Sequence, residues 1–100
     1  MAKEQTKSKR QSRTRDKEPS RYVVIMHNDD VTTMEFVVEV LINIFFKQPD
    51  EAHNLMMEIH NTGSAAVGVY SYDIAVSKAT KTMRIASNNN FPLKVTWQEE

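Results

Sequence analysis

Hydrophobic and polar positions mark out a series of short regular segments, all of them after residue 20. Tyr22-Val23-Val24-Ile25-Met26 is β-branched and aromatic, follows Pro19-Ser20, and ends at His27-Asn28-Asp29-Asp30. It predicts a buried strand that leaves its sheet through a polar loop. Thr32-Thr33-Met34-Glu35 has the spacing of a capping box, with Thr32 as N-cap and Glu35 three residues on. In the helix it opens, the polar residues Glu35, Glu39, Asn43 and Lys47 recur at every fourth position as one narrow wet stripe. Phe36, Val37, Val40, Leu41, Ile44 and Phe45 fill the remainder, which puts this helix at the centre of the core.

Pro49-Asp50-Glu51 predicts a second helix start, because proline suits the first turn and carboxylates suit the positive end of the dipole. Ala52, Leu55, Met56 and Ile59 form its inward stripe, and Gly63 is its expected left-handed terminator. Ala65 to Tyr70 reads as a second strand. A third helix begins at Ser71 or Asp73, turns Ala75, Ala79, Met83 and Ala86 to one side, and stops at Asn88-Asn89-Asn90. Leu93-Lys94-Val95-Thr96-Trp97 alternates with period two, as a strand with one wet face does. The order is β-α-α-β-α-β. It predicts an α+β domain in which a three-stranded sheet carries three helices on one face.

Composition refines this picture in three ways. The 100 residues are 40% apolar, enough for one small core and too few for two. The 13 basic and 13 acidic residues cancel overall but not locally: residues 1–20 sum to +4 and residues 21–100 to −4. Residues 1–20 therefore read as a disordered basic arm, and residues 21–100 as the folding unit. The absence of cysteine removes disulfides and thiolate chemistry and fits a reducing cytoplasm. No apolar run reaches the length of a membrane span, and the basic N-terminus lacks the apolar stretch of a secretory signal. With glycine only at positions 63 and 68, a P-loop, a dinucleotide fingerprint and a nucleophile elbow are all excluded.

The three histidines do not suggest a metal centre. His53 and His60 lie seven residues apart, about 10.5 Å along a helix, too far to share an ion as an i, i+4 pair does. No cofactor is implied. The informative stretch is Asn28 to Met34, an acceptor-rich loop running into an almost wholly apolar helix. If His60 lies beside Asn28 and Asp29, a polar rim borders a recess made by Met34, Met56 and Ile59. Such a site suits a free amino terminus with a large apolar side chain. An ammonium has three donors and no acceptor, which carboxylate, carbonyl and neutral imidazole lone pairs match. Methionines let one recess admit aromatic and aliphatic guests alike.

These residues, together with Thr32, Glu35-Phe36-Val37, Leu41, Phe45-Phe46, Ala52, Leu55, Gly63, Ala65, Gly68-Val69, Lys78 and Pro92-Leu93, resemble the ClpS family of bacterial protease adaptors from Tyr22 to about Trp97. The resemblance implies a non-enzymatic adaptor that binds proteins with N-terminal Leu, Phe, Tyr or Trp. It delivers them to an AAA+ unfoldase, ClpA or a relative, paired with the ClpP peptidase. It also implies a monomer acting in the cytoplasm. By resemblance, Asn28, Asp29 and His60 hold the substrate α-amino group, and Thr32, Met34, Met56, Ile59 and Leu93 wall the pocket. Met34 is the gate against β-branched residues, and Asp73 and Lys78 belong to the unfoldase-docking surface. Residues 1–20 resemble the extension that engages the unfoldase during hand-over.

The sequence departs from the family pattern at several positions. Thr33 stands where many members have proline, Val31 where an aromatic is common, and Asp73 where glutamate is usual. Ile59 is expected to narrow the recess and favour Leu or Phe over Trp. The competing reading is a ribosome- or RNA-associated module that uses the basic arm. It predicts affinity falling steeply with salt, yet residues 21–100 are net acidic.

Overall fold

The computed structural model describes residues 19–100, so the expected arm lies almost wholly outside the described residues. Strand β1 (Arg21–His27) is followed by helices α1 (Met34–Asn43) and α2 (Pro49–Thr62), then β2 (Ser64–Ser71), α3 (Tyr72–Asn88) and β3 (Lys94–Glu99). The strands form one antiparallel sheet of order β2-β1-β3. The predicted β-α-α-β-α-β order and fold class hold.

β1 lies in the middle because it has the highest density of β-branched and apolar side chains. Val24 and Met26 are fully buried there, opposite Trp97 and Val95 of β3. On the other edge the register slips between Val24 and Ile25: Val24 faces Gly68 while Ile25 faces Ala66. Val67 is left over as a bulge and is itself buried. Gly68 matters for a second reason, since a Cβ there would collide with the ring of Tyr70.

The helices contribute Phe36, Val37, Val40 and Leu41 from α1, Ala52, Met56 and Ile59 from α2, and Ala75, Ala79, Thr82 and Ala86 from α3. Small residues on α3 let that helix lie close to the sheet. Its one polar core residue, Thr82, satisfies its hydroxyl by donating to the Lys78 carbonyl at 2.7 Å. Asn90, at φ 64°, closes α3 as a left-handed terminator. Asn90 N donates to Ser87 O and Phe91 N to Ala86 O, the paired bonds of a Schellman ending, and Phe91 then packs edge-on against Phe36.

Two expected boundaries are corrected. The cap of α1 is Thr33 rather than Thr32: the Thr33 hydroxyl accepts the Phe36 N–H at 3.2 Å, because Thr32 is already engaged by Asp29. The same helix stops at Asn43, leaving Lys47 outside it. Its last turn widens, with Phe45 N bonded to Val40 O and Lys47 N to Leu41 O, and Phe46 turns left-handed at φ 58°.

Candidate functional site

The loop after β1 is shaped by a single carboxylate. Asp29 Oδ1 accepts the backbone N–H groups of Val31 and Thr32 at 2.8 and 2.7 Å, and Oδ2 accepts the Thr32 hydroxyl at 2.7 Å. Burial by itself raises the carboxyl pKa, but the hydrogen bonds from Thr32 and Val31 outweigh it and hold the group below its ordinary value. A carboxylate offers about four lone-pair positions. Three of them are used here, so Asp29 braces the loop and keeps one acceptor for a ligand.

One backbone bond brings the distant half of the site into place. Asn28 N donates to Gly63 O at 2.9 Å, tying the start of the loop to the left-handed end of α2. His60, in the last turn of α2, thereby comes to the same cavity as Asn28 and Asp29. The cavity measures about 550 Å³. Asn28, Asp29, Asp30 and His60 contribute its polar side, and Met34, Val37, Met56 and Ile59 its apolar side. Val37, Met56 and Ile59 are buried core residues, so that wall is rigid, whereas Met34 is 42% exposed and free to adjust.

Most of the expected site residues therefore converge. Asn28, Asp29, His60, Thr32, Met34, Met56 and Ile59 all line this cavity. Leu93, which precedes β3, is buried in the core at 5% exposure. Val37 takes a place on the wall that the sequence reading missed. Its position one turn after Thr33, on the inward face of α1, was the available signal. Thr33 and Val31, the two loop departures, also line the cavity. Thr33 uses its hydroxyl to cap α1, a bond that proline cannot make.

Asp73 and Lys78 lie in a different groove of about 460 Å³, bordered by Asn43, Ile44, Phe46, Ile74, Ser77 and Lys81. Lys78 already has intramolecular partners there. Its ammonium donates to Ile44 O at 2.6 Å, at the open C-terminal end of α1. It also sits over the rings of Phe46, Tyr70 and Phe45, at 4.4, 5.4 and 5.8 Å from their centroids. Burial, and then the charge of Lys81, pull its pKa below the ordinary lysine value. Phe46 is 75% exposed beside it and Ile74 49%.

Among the described residues the remaining polar groups form no metal-binding cluster. His27 Nε2 lies 2.9 Å from Thr96 Oγ1 of the neighbouring strand. Among the described residues no three His, Asp or Glu side chains converge as a metal cluster would, and no helix is long and apolar enough to cross a membrane.

An acceptor-rich loop, a histidine at a helix end and an apolar recess thus meet in one cavity of the kind that binds a ligand with a polar and an apolar end. Comparison with known proteins gives the family. The family profile described as ATP-dependent Clp protease adaptor protein ClpS matches residues 17–96. An ATP-dependent Clp protease adapter protein ClpS from Treponema denticola is 54% identical over 77 residues, spanning 77% of this chain and 76% of the relative. Its counterpart from Acetivibrio thermocellus is 42% identical over 97 residues, covering 97% of this chain and 98% of the relative. Among solved structures, Agrobacterium tumefaciens ClpS2 bound to L-phenylalaninamide superposes with a TM-score of 0.80 at 38% identity, over 83% of this chain and 100% of that one. The chain belongs to the ClpS family of Clp protease adaptors, which are not enzymes.

Proposed function

We propose that this chain binds proteins through a free N-terminal Leu, Phe, Tyr or Trp and delivers them to a ClpA-type AAA+ unfoldase for degradation by ClpP. The observation that carries the reading is the shared cavity of Asn28, Asp29 and His60 with Met34, Met56 and Ile59. The ammonium of the first residue would donate to the Asn28 carbonyl, the free lone pair of Asp29 and a neutral His60 nitrogen. Its side chain would enter the apolar side, where burying a Leu or Phe contributes about 1.5–3 kcal/mol. L-phenylalaninamide, the ligand of the Agrobacterium tumefaciens relative, has both features: a free α-amine and a large apolar group.

Asp73 and Lys78 would belong to the surface that meets the unfoldase, with the exposed Phe46 and Ile74 alongside them. The adaptor would work as a monomer in the bacterial cytoplasm. Titration with a Phe-initiated peptide and its N-acetylated twin, read by fluorescence anisotropy, tests the substrate reading. Acetylation removes the charge and two of the donors, so the twin should not bind. Equal affinity for the two peptides would overturn the assignment.

A further inference from the structure

With no cysteine in the sequence, oxidisable sulfur in this chain is confined to methionine. The described methionines differ in access. Met26 and Met56 are buried at 0% and 6% exposure, and Met57 and Met83 pack half-covered against the core. Met34 alone among them is exposed, at 42%. The cause is its place as the first residue of α1, directly after the capping Thr33. A long helical side chain leans back over the preceding turn, and at the first position no such turn exists to cover it. Met34 also lines the first cavity together with Asp29, Thr32, Met56 and Ile59. The most accessible of the described thioethers is therefore a wall of the recess that would take the substrate side chain.

We propose that Met34 is a site of reversible oxidation by hydrogen peroxide, and that its sulfoxide shuts the recess to substrate. A sulfur lone pair attacks one peroxide oxygen. The O–O bond breaks as the S–O bond forms, and the second oxygen leaves with both hydrogens as water. Sulfur gives up the two electrons that peroxide takes, so no further reactant is needed. The product is a polar side chain in place of a soft apolar one, with a strong acceptor on the wall. A Leu or Phe side chain entering beside it strips water from that acceptor and offers no donor in return. The inference rests on the reading of the first cavity and adds a control to it. It also runs the other way: a seated side chain covers Met34, so bound substrate slows the oxidation.

The full chain is treated with graded hydrogen peroxide, and peptide-mapping mass spectrometry follows the sulfoxide at each methionine. Anisotropy follows Phe- and Leu-initiated peptides beside their acetylated twins. Met34 should oxidise first among the described methionines. Affinity should fall at least about fivefold, about 1 kcal/mol, in step with its sulfoxide. Excess Phe-initiated peptide should slow oxidation at Met34 but not at Met83, which borders Val95 and Trp97 instead. Methionine sulfoxide reductases A and B, one for each epimer, should restore binding. The double variant Met57→Leu, Met83→Leu should lose affinity on treatment as the parent does. Met34→Leu, whatever its own starting affinity, should lose none. Binding that survives complete sulfoxide formation at Met34, or a loss that recurs in Met34→Leu, overturns the proposal and leaves the first cavity its role. If the untreated chain binds no free-amine peptide above its acetylated twin, the reading of the first cavity fails and this one with it.

Discussion

Replacing Lys78 separates two roles that the sequence alone would merge. In the structure its ammonium closes the open end of α1 through the 2.6 Å bond to Ile44 O and lies over the Phe46 ring at 4.4 Å. A hydrogen bond from a charged donor contributes about 1.5–3 kcal/mol net, and a partly exposed cation–π contact about 0.5–1 kcal/mol. Opposing these are partial desolvation, repulsion by Lys81, and up to about 2 kcal/mol of lost lysine rotamer freedom. The balance is a stabilisation of about 1 kcal/mol from the charge. Lys78→Met keeps the stem and should lose only that amount. Lys78→Ala also strips packing from the aromatic rings and should lose about 2 kcal/mol, equivalent to about 4–8 °C in Tm per kcal/mol for a domain of this size. Urea denaturation with an unchanged m value is the measurement. Both variants within about 0.5 kcal/mol of the parent would refute the stabilising role. Peptide affinity should not change in either, because Lys78 does not line the first cavity. Asp73, exposed on the first turn of α3, then provides the separate docking test: Asp73→Ala should weaken binding of a ClpA-type unfoldase while costing no more stability than the about 0.3–1 kcal/mol of a first-turn carboxylate.

Other expectations concern the loop and the recess. His60→Ala and Asp29→Ala should each weaken binding of a Phe- or Leu-initiated peptide at least tenfold, about 1.4 kcal/mol, by anisotropy titration. Wild-type affinity in either variant would remove that residue from the site. Met34→Ala should allow Val- or Ile-initiated peptides to bind, and their continued rejection would mean that another residue forms the gate. The depressed pKa of Asp29 also fixes a sign. Its contribution to stability is complete above the unfolded value of about 3.9 and is lost as pH falls through the lower folded value. The amide signals of Val31 and Thr32 in NMR should therefore titrate with a midpoint below the unfolded value of about 3.9. A titration midpoint above about 3.9 would show that the three hydrogen bonds do not dominate.

What could be read from the sequence was local. Helix α2 follows from Pro49 at its first turn, the Ala52-Leu55-Met56-Ile59 stripe and Gly63 at its end, all signals within one element. The capping position was missed by one residue because two adjacent threonines satisfy the same pattern. The choice between them depends on Asp29, whose carboxylate takes Thr32 and leaves Thr33 to cap. The end of α1 was missed for a longer-range reason. The four-residue polar stripe continues to Lys47, but the helix opens where Lys78, 34 residues on, takes the Ile44 carbonyl.

The same distinction applies to the site. Each chemical group in it was visible as a residue type, but their meeting depends on Asn28 N bonding to Gly63 O across 35 positions. That bond forms because Gly63 is left-handed at φ 99°, where any other residue would be strained. The loop chemistry and the helix terminator are thus one device, and His60 gains its place from both. Helix α1 sets the rest of the arrangement. Its N-terminal end borders the cavity and its C-terminal end carries the Lys78 groove, while Phe36, Val37, Val40 and Leu41 fix the stretch between them in the core. A buried helix of ten residues, about 15 Å long, holds both surfaces at constant separation without having to move. The proposed substrate capture and partner contact should therefore be alterable independently, and substitutions at the two ends should add in their effects on stability because the two cavities share no lining residue.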